Sequence, residues 1–116
     1  MTGVRIVRDY PHAPAKVWRA LTDPALVALW AMRPEGFAPV VGNKFRLVAK
    51  PQPGWRGYVD CEVLEAREDA LLRYSWKGED DGDTTIVTFT LSPWEGGTRV
   101  VFEHTGFRGF GGFMGC

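Results

Sequence analysis

The amino-acid sequence predicts an α+β fold in which a pair of short helices is followed by an antiparallel sheet. Two observations support this prediction. Apolar residues recur at every second position in six segments, the periodicity of half-buried strands. The links between the later segments, such as 77–83 and 93–97, are short and rich in glycine, proline and acidic residues. Such links suit hairpins between antiparallel strands rather than crossover helices.

The first elements along the chain are a strand and then two helices. Residues 4–10 alternate, with one side carrying Val4, Ile6, Arg8 and Tyr10. Pro14 suits the first position of the next helix, where its missing N–H donor costs nothing. Asp23 can cap a second helix that begins at Pro24. The spacing predicts a buried stripe on this second helix formed by Leu26, Leu29 and Trp30.

Five further strands follow the second helix. The segment 33–43, with two prolines and two glycines, reads as a loop. Period-two alternation then predicts strands over 44–49, 55–68, 71–76, 84–92 and 98–104. Their larger apolar residues share one face: Phe45, Leu47, Trp55, Val59, Val63, Leu72, Tyr74, Trp76, Val87, Phe89, Leu91, Val100 and Phe102. The predicted sheet therefore has one strongly apolar face.

Length and composition point to a single domain over residues 1–116. Fourteen basic and fourteen acidic residues cancel, so no nucleic-acid partner is expected. The N-terminus has no apolar signal region and no long apolar run follows, so we expect a cytoplasmic protein without a membrane segment.

Two histidines and two cysteines show no metal-ligand spacing, and Cys61 and Cys116 are expected to stay unpaired. No metal or other cofactor is predicted.

Four segments carry a resemblance to a known family. They are "YPHAPAKVWRALTDPALVALWAM" at 10–32, Gly-Asn-Lys-Phe at 42–45, "TIVTFTL" at 85–91 and "GGTRVVFEHTGF" at 96–107. In this order they resemble the C-terminal domain of the heat-shock protein 90 ATPase activator and its bacterial relatives. That group belongs to the START-related, birch-allergen-like helix-grip superfamily, also called SRPBCC. The resemblance implies that the six predicted strands form an antiparallel sheet curved around a long C-terminal helix, with an apolar cavity or cleft between helix and sheet.

The end of the chain departs from this family pattern. Members usually continue into the long helix, whereas this sequence stops at Cys116 after "GFRGFGGFMGC". We expect this glycine-rich segment to be the approach to a helix that is missing, so that the domain is C-terminally truncated. The apolar sheet face would then lose its main cover. A second copy of the chain, closing the two open faces against each other as a homodimer, is the alternative expectation.

Candidate ligand-binding residues lie on the apolar face or beside the loop after the second helix. They are Trp30, Met32, Phe37, Phe45, Trp55, Val59, Cys61, Tyr74, Trp76, Phe89, Phe102 and His104. Tyr74 and His104 would supply the polar groups that fix a ligand's orientation. Simple packing in the core is the alternative for each residue. For His104, a hydrogen bond at the strand end is favoured over a general-base role, because no orienting partner is evident and Glu103 points to the other face.

Three functions remain open at this level. Non-enzymatic binding of a small hydrophobic or aromatic ligand is favoured, because the apolar face is evident and an acid–base constellation is not. The resemblance implies contact with a chaperone as an alternative. A cyclase-like or dehydratase-like enzyme, as found elsewhere in the superfamily, is the second alternative, with His104 or Tyr74 as acid or base.

Overall fold

Seven strands form one antiparallel sheet, and two helices connect its first two strands. The computed structural model describes residues 3–78 and 83–106. The elements in chain order are β1 (Gly3–Tyr10), α1 (Pro14–Thr22), α2 (Pro24–Trp30), β2 (Arg33–Glu35), β3 (Lys44–Val48), β4 (Tyr58–Arg67), β5 (Leu71–Trp76), β6 (Thr85–Trp94) and β7 (Gly97–Thr105). Across the sheet the order is β1-β7-β6-β5-β4-β3-β2, so β2 to β7 form a meander and β1 pairs with the last strand. This helix-grip-like arrangement confirms the predicted α+β class.

The sheet has seven strands where the sequence predicted six. The additional strand, β2, lies in the segment predicted to be a loop and pairs with β3, where Pro34 faces Leu47. Three residues are too few to show a period of two, and proline argues against a central strand. An edge strand tolerates proline because one side of the edge needs no ladder hydrogen bonds.

The fourth strand begins at Tyr58 and not at the predicted position 55. Gly57 has a φ of 92°, a left-handed conformation that ends the extended backbone. A side chain there would also approach the Pro51 backbone nitrogen to 2.9 Å. Trp55 therefore lies in the turn before β4, and its indole N–H donates to the Gly78 carbonyl oxygen at 3.1 Å.

The two helices begin where the sequence predicts. Pro14 opens α1 and Pro24 opens α2. The backbone N–H of Ala25 donates to Oδ1 of Asp23 at 3.0 Å, so Asp23 caps the second helix. Asp23 is also the C-terminal cap of the first helix, where its backbone N–H donates to the Arg19 carbonyl oxygen. Asp23, whose backbone is extended, thus separates the two helices.

The predicted buried stripe of α2 is partly wrong. Val27 is the buried residue of this helix, whereas Leu29 is 82% exposed. Successive residues of a helix are about 100° apart, so position 29 lies on the opposite side from position 27. Trp30, three residues after Val27, returns toward the sheet and is half-exposed.

Cross-strand pairing places the apolar side chains on one face of the sheet, here called the inner face. Leu72 lies opposite Phe89, Phe89 opposite Phe102, and Phe102 opposite Ile6, which links β5, β6, β7 and β1. Of the thirteen apolar residues predicted to share a face, only Trp55, Trp76 and Phe102 are not fully buried. The expectation that this face loses its main cover is therefore wrong for most of its residues.

The uncovered part of the inner face is its β1 side. Val4 is 48% exposed and Ile6 is 38% exposed, although their partners on β7 lie on the same apolar face. The glycine-rich segment that the sequence analysis linked to a C-terminal helix, including Cys116, lies outside the described residues from position 107 onward. The inner face is therefore buried over strands β3 to β6 and partly exposed along β1. The candidate site lies where the buried and the exposed parts meet.

Candidate functional site

Two adjoining cavities lie between the helices and the inner face of the sheet. The larger has a volume of about 530 Å³ and lies between α1, α2 and strands β1, β6 and β7. Its lining consists of Ile6, Arg8, Tyr10, His12, Lys16, Val17, Ala20, Leu21, Leu26, Trp30, Phe89, Val100 and Phe102. The smaller, of about 150 Å³, extends toward β2, β3 and β5. Its lining consists of Leu21, Val27, Trp30, Ala31, Met32, Pro34, Phe37, Phe45, Leu47, Tyr74, Trp76, Val87, Phe89 and Phe102.

The wall between the cavities is built mainly from aromatic rings. Leu21, Trp30, Phe89 and Phe102 line both cavities. The Trp30 ring meets the Phe89 ring edge-on at 6.0 Å, and Phe89 lies 5.2 Å from Phe102. The indole N–H of Trp30 donates to the Ala20 carbonyl oxygen at 2.7 Å, which fixes the ring at the end of α2.

The smaller cavity contains a single buried phenol in an aromatic surround. The Phe45 ring meets Phe37 at 4.7 Å and Tyr74 at 5.2 Å, both edge-on. Burial, with a smaller contribution from nearby Cys61, raises the pKa of Tyr74 well above its ordinary value. The phenol therefore stays protonated and able to donate a hydrogen bond at any physiological pH.

The Tyr74 hydroxyl makes no hydrogen bond to any other residue in the described part of the chain. No side-chain oxygen or nitrogen there is both sealed from solvent and without a partner. The hydroxyl of this buried residue therefore reaches open space, and the smaller cavity is the space that Tyr74 lines. It is a polar group available to a ligand.

The polar side chains of the larger cavity are Arg8, Tyr10, His12 and Lys16. All four are exposed, whereas Val17, Phe89 and Val100 of the same lining are buried. The exposed residues therefore mark the mouth, and the buried ones mark the apolar floor. Such an arrangement suits a molecule that enters with its apolar part first.

His104 lies next to the cavities but lines neither of them. Its Nε2 atom is 2.6 Å from Oγ1 of Thr85, which lies two residues before Val87, the partner of His104 on β6, and its ring is 5.4 Å from that of Trp76. Burial lowers the pKa of the imidazole below its ordinary value, because it disfavours the charged form. The observed hydroxyl contact is the strand-end hydrogen bond that the sequence analysis favoured over a general-base role.

The structure brings eight of the twelve predicted ligand residues around the smaller cavity: Trp30, Met32, Phe37, Phe45, Tyr74, Trp76, Phe89 and Phe102. Trp55, Val59, Cys61 and His104 line neither cavity. Val59 and Cys61 are 1% and 5% exposed within the sheet core. Burial, with a smaller effect of Asp60, raises the pKa of Cys61 to about 12, so its thiol is inert. The ligand-binding role of the twelve residues remains a prediction.

Sequence reasoning missed most of the larger cavity, including Arg8, Tyr10, Lys16 and Ala20. The signal was present, because the alternation in 4–10 already placed Arg8 and Tyr10 with Ile6 on one side of the first strand. The alternation alone does not show that β1 pairs with β7. That pairing places Ile6, Arg8 and Tyr10 in the same lining as residues of the two helices.

Two further properties of residues 3–78 and 83–106 bear on the site. No group of three or more histidine, cysteine, aspartate or glutamate side chains within these ranges is arranged to hold a metal ion. Among their helices, none has the length and apolar character needed to cross a membrane.

Comparison with known proteins gives a consistent result. A family model described as "Activator of Hsp90 ATPase homolog 1-like protein" matches residues 11–111. Protein MLL2253 from Mesorhizobium loti is 38% identical, with a TM-score of 0.81, over 97% of this chain and 87% of that one. A protein from Rhodobacter sphaeroides is 30% identical, with a TM-score of 0.74, over 90% and 72% of the two chains. An HSP90 activator from Plasmodium falciparum, 21% identical over 92% and 74%, shares the fold with a TM-score of 0.74. No curated protein matches this chain.

Proposed function

This chain belongs to the family of Activator of Hsp90 ATPase homolog 1-like proteins, and on that basis we propose that it binds a small hydrophobic or aromatic molecule between its helices and the inner face of its sheet. The observation that carries the proposal is the larger cavity. Its volume of about 530 Å³ lies within the range of ligand pockets, roughly 300–1,000 Å³. Its floor is apolar, and the charged side chains among its described lining residues lie at its mouth.

Tyr74 is the proposed polar contact at the far end of the ligand. The hydroxyl has no partner among the described residues and belongs to a residue that is 8% exposed. A ligand oxygen or nitrogen that reaches the smaller cavity would accept its hydrogen bond. Loss of that bond costs about 0.5–1.5 kcal/mol, so Tyr74→Phe should weaken the binding of such a ligand about twofold to tenfold. Binding of a pure hydrocarbon should not change.

The direct test is a fluorescence titration with N-phenyl-1-naphthylamine, a neutral aromatic probe. We expect saturable binding with one probe per chain. Ala20→Phe places a ring in the larger cavity and should weaken binding by about tenfold or more, because filling a pocket displaces its ligand. Ala15→Phe is the matched control, since it adds the same ring to an exposed position of α1 outside both linings.

Two outcomes would contradict the proposal. One is probe binding that never saturates, which indicates adsorption to exposed apolar surface. The other is equal weakening by both alanine substitutions, which would place the probe elsewhere. The melting temperature of each variant must be measured alongside, so that unfolding is not mistaken for loss of the pocket.

Contact with a chaperone is a second candidate function, which the description of the matching family favours. The related structure from Plasmodium falciparum is itself an HSP90 activator, although at 21% identity it carries the fold alone. Calorimetric titration of this chain into purified heat-shock protein 90, with the ATPase rate measured in parallel, tests this candidate. Heat release together with a faster ATPase would support it, and the absence of both would exclude it.

A further inference from the structure

The mouth of the larger cavity is cationic. Among the described residues of its lining, Arg8 and Lys16 are the formally charged ones, His12 is the other basic side chain, and no carboxylate contributes. The chain as a whole has equal numbers of acidic and basic residues, so this asymmetry is local. An opening with one sign of charge selects among ligands that fit the same apolar floor.

Arg8 forms no ion pair with any carboxylate in the described part of the chain, unlike most of the arginines there. Nine arginines lie in residues 3–78 and 83–106, and seven of them form ion pairs: Arg5, Arg33, Arg46, Arg56, Arg67, Arg73 and Arg99. Arg8 instead donates only to the carbonyl oxygen of the adjacent Val7, at 3.0 Å. The other unpaired arginine in this part of the chain, Arg19, lies outside both cavity linings.

The register of the sheet explains why Arg8 faces the cavity. Arg8 lies opposite Val100 on β7, a buried residue of the cavity floor, and between Ile6 and Tyr10 on the same side of β1. A guanidinium on an otherwise apolar strand face keeps its fork of N–H donors at the edge of that face. The fork matches carboxylate and phosphate oxygens, which can accept two parallel hydrogen bonds. Lys16, in the first turn of α1, adds a second positive charge to the same lining.

We propose that the ligand of the larger cavity is an amphiphile with one anionic group, a carboxylate or a phosphate, which Arg8 and Lys16 hold at the mouth while the apolar part lies against Val17, Phe89 and Val100. This proposal rests on the proposed function, because it specifies the ligand class of the same site. It gives the mouth a role in selection that the apolar lining cannot have.

Displacement of bound N-phenyl-1-naphthylamine tests the proposal with ligands matched in chain length. The competitors are decanoate, decyl phosphate and 1-decanol at low ionic strength. We expect decanoate or decyl phosphate to displace the probe at about tenfold lower concentration than 1-decanol, since two partly exposed ion pairs should each strengthen binding about threefold. The relative strength of the two anions distinguishes a carboxylate from a phosphate ligand.

Charge-neutralising variants locate the effect. Arg8→Gln and Lys16→Gln should each raise the concentration of the preferred anion needed for displacement by about threefold. They should leave 1-decanol unchanged. Arg19→Gln removes one unpaired positive charge outside the lining and should change neither. Raising the salt concentration should reduce the preference for the anion, because the mouth is exposed.

The outcomes separate this proposal from the one on which it depends. Saturable binding of the neutral probe, with 1-decanol displacing it as well as either anion, would overturn the anionic ligand and leave the apolar site intact. Equal effects of Arg8→Gln and Arg19→Gln would also overturn it, since net charge alone would then account for the preference. If the neutral probe itself does not bind, both proposals fail.

Discussion

Truncation of Phe89 should cost less stability than truncation of Leu72, although phenylalanine is the larger residue. The two lie opposite each other across β5 and β6 on the inner face, and they are 7% and 1% exposed. Phe89 lines both cavities, whereas Leu72 lines neither. The pair therefore compares a side chain bordered by open space with one packed on every side.

The expected magnitudes follow from separate transfer and cavity contributions. Leu72→Ala loses about 2 kcal/mol of transfer free energy, and a void of about 80 Å³ at ~24 cal/mol per Å³ adds about 2 kcal/mol. Phe89→Ala loses a transfer term of about 2–3 kcal/mol. It creates no new closed void, because the vacated volume joins the cavities of about 530 and 150 Å³. We expect losses of about 4 kcal/mol for Leu72→Ala and about 2–3 kcal/mol for Phe89→Ala.

Urea unfolding followed by far-ultraviolet circular dichroism measures both variants against the parent chain. Equal m-values would show that the free energies are comparable. A loss for Phe89→Ala that exceeds the loss for Leu72→Ala by 1 kcal/mol or more would refute the reasoning, because it would mean that the ring is packed on all sides. The cavities would then not exist as open space in solution.

Two further predictions concern backbone contact and pH. Gly97→Ala should destabilise the protein by about 2 kcal/mol or more in the same urea assay, because an added Cβ would collide with a backbone carbonyl oxygen of β1. Gly78→Ala is the control, and it should leave the free energy of unfolding nearly unchanged because a Cβ there meets only ordinary contacts. The lowered pKa of His104 means that the folded state binds this proton less readily than the unfolded chain, whose histidine has a pKa of about 6.5. The contribution of His104 is therefore fully present above about pH 6.5 and is lost as the pH falls from there through the lowered pKa of the folded state. His104→Gln should flatten the dependence of the unfolding free energy on pH below about 6.5, and an unchanged slope would contradict the prediction.

The sequence predicted well those elements whose signals are local. Proline at a first helical position, a capping aspartate and a period of two each act within a few residues, so both helix starts and the order of the later strands could be predicted. The bounds of β5, β6 and β7 differ from the predicted ranges by only one or two residues at most ends. The three-residue strand β2 was missed because its pairing with β3 is a tertiary contact that leaves no periodic trace.

The candidate site could be predicted only in part, and the division has a physical reason. Six of the fourteen lining residues of the smaller cavity lie on β3, β5 and β6, whose alternation is regular, and the sequence prediction included all of its aromatic residues. The larger cavity is lined by both β1 and α1, and no pattern along the chain shows that these two elements border the same space. Arg8 in particular reads from the sequence as one polar position in a mixed strand. Its place on the cavity side and its lack of an ion pair follow from the β1–β7 register and from the contacts of the folded chain.

At the mouth of the larger cavity, ligand preference and folding stability are separable, whereas Val17, Phe89 and Val100 of its floor belong to the buried core. Leu72, Val59 and Val63, all at most 1% exposed, lie on β4 and β5, away from the β1 and β7 strands that border the larger cavity. Arg8 and Lys16 are exposed and form no ion pair with any described residue, so their replacement removes little that holds the fold together. Substitution at the mouth can therefore change which ligand is preferred while the free energy of unfolding stays within about 0.5 kcal/mol of the parent value, as is usual for surface positions. If Arg8→Gln or Lys16→Gln lowered that free energy by more than 1 kcal/mol, the mouth would be part of the folding core, and the separation would be wrong.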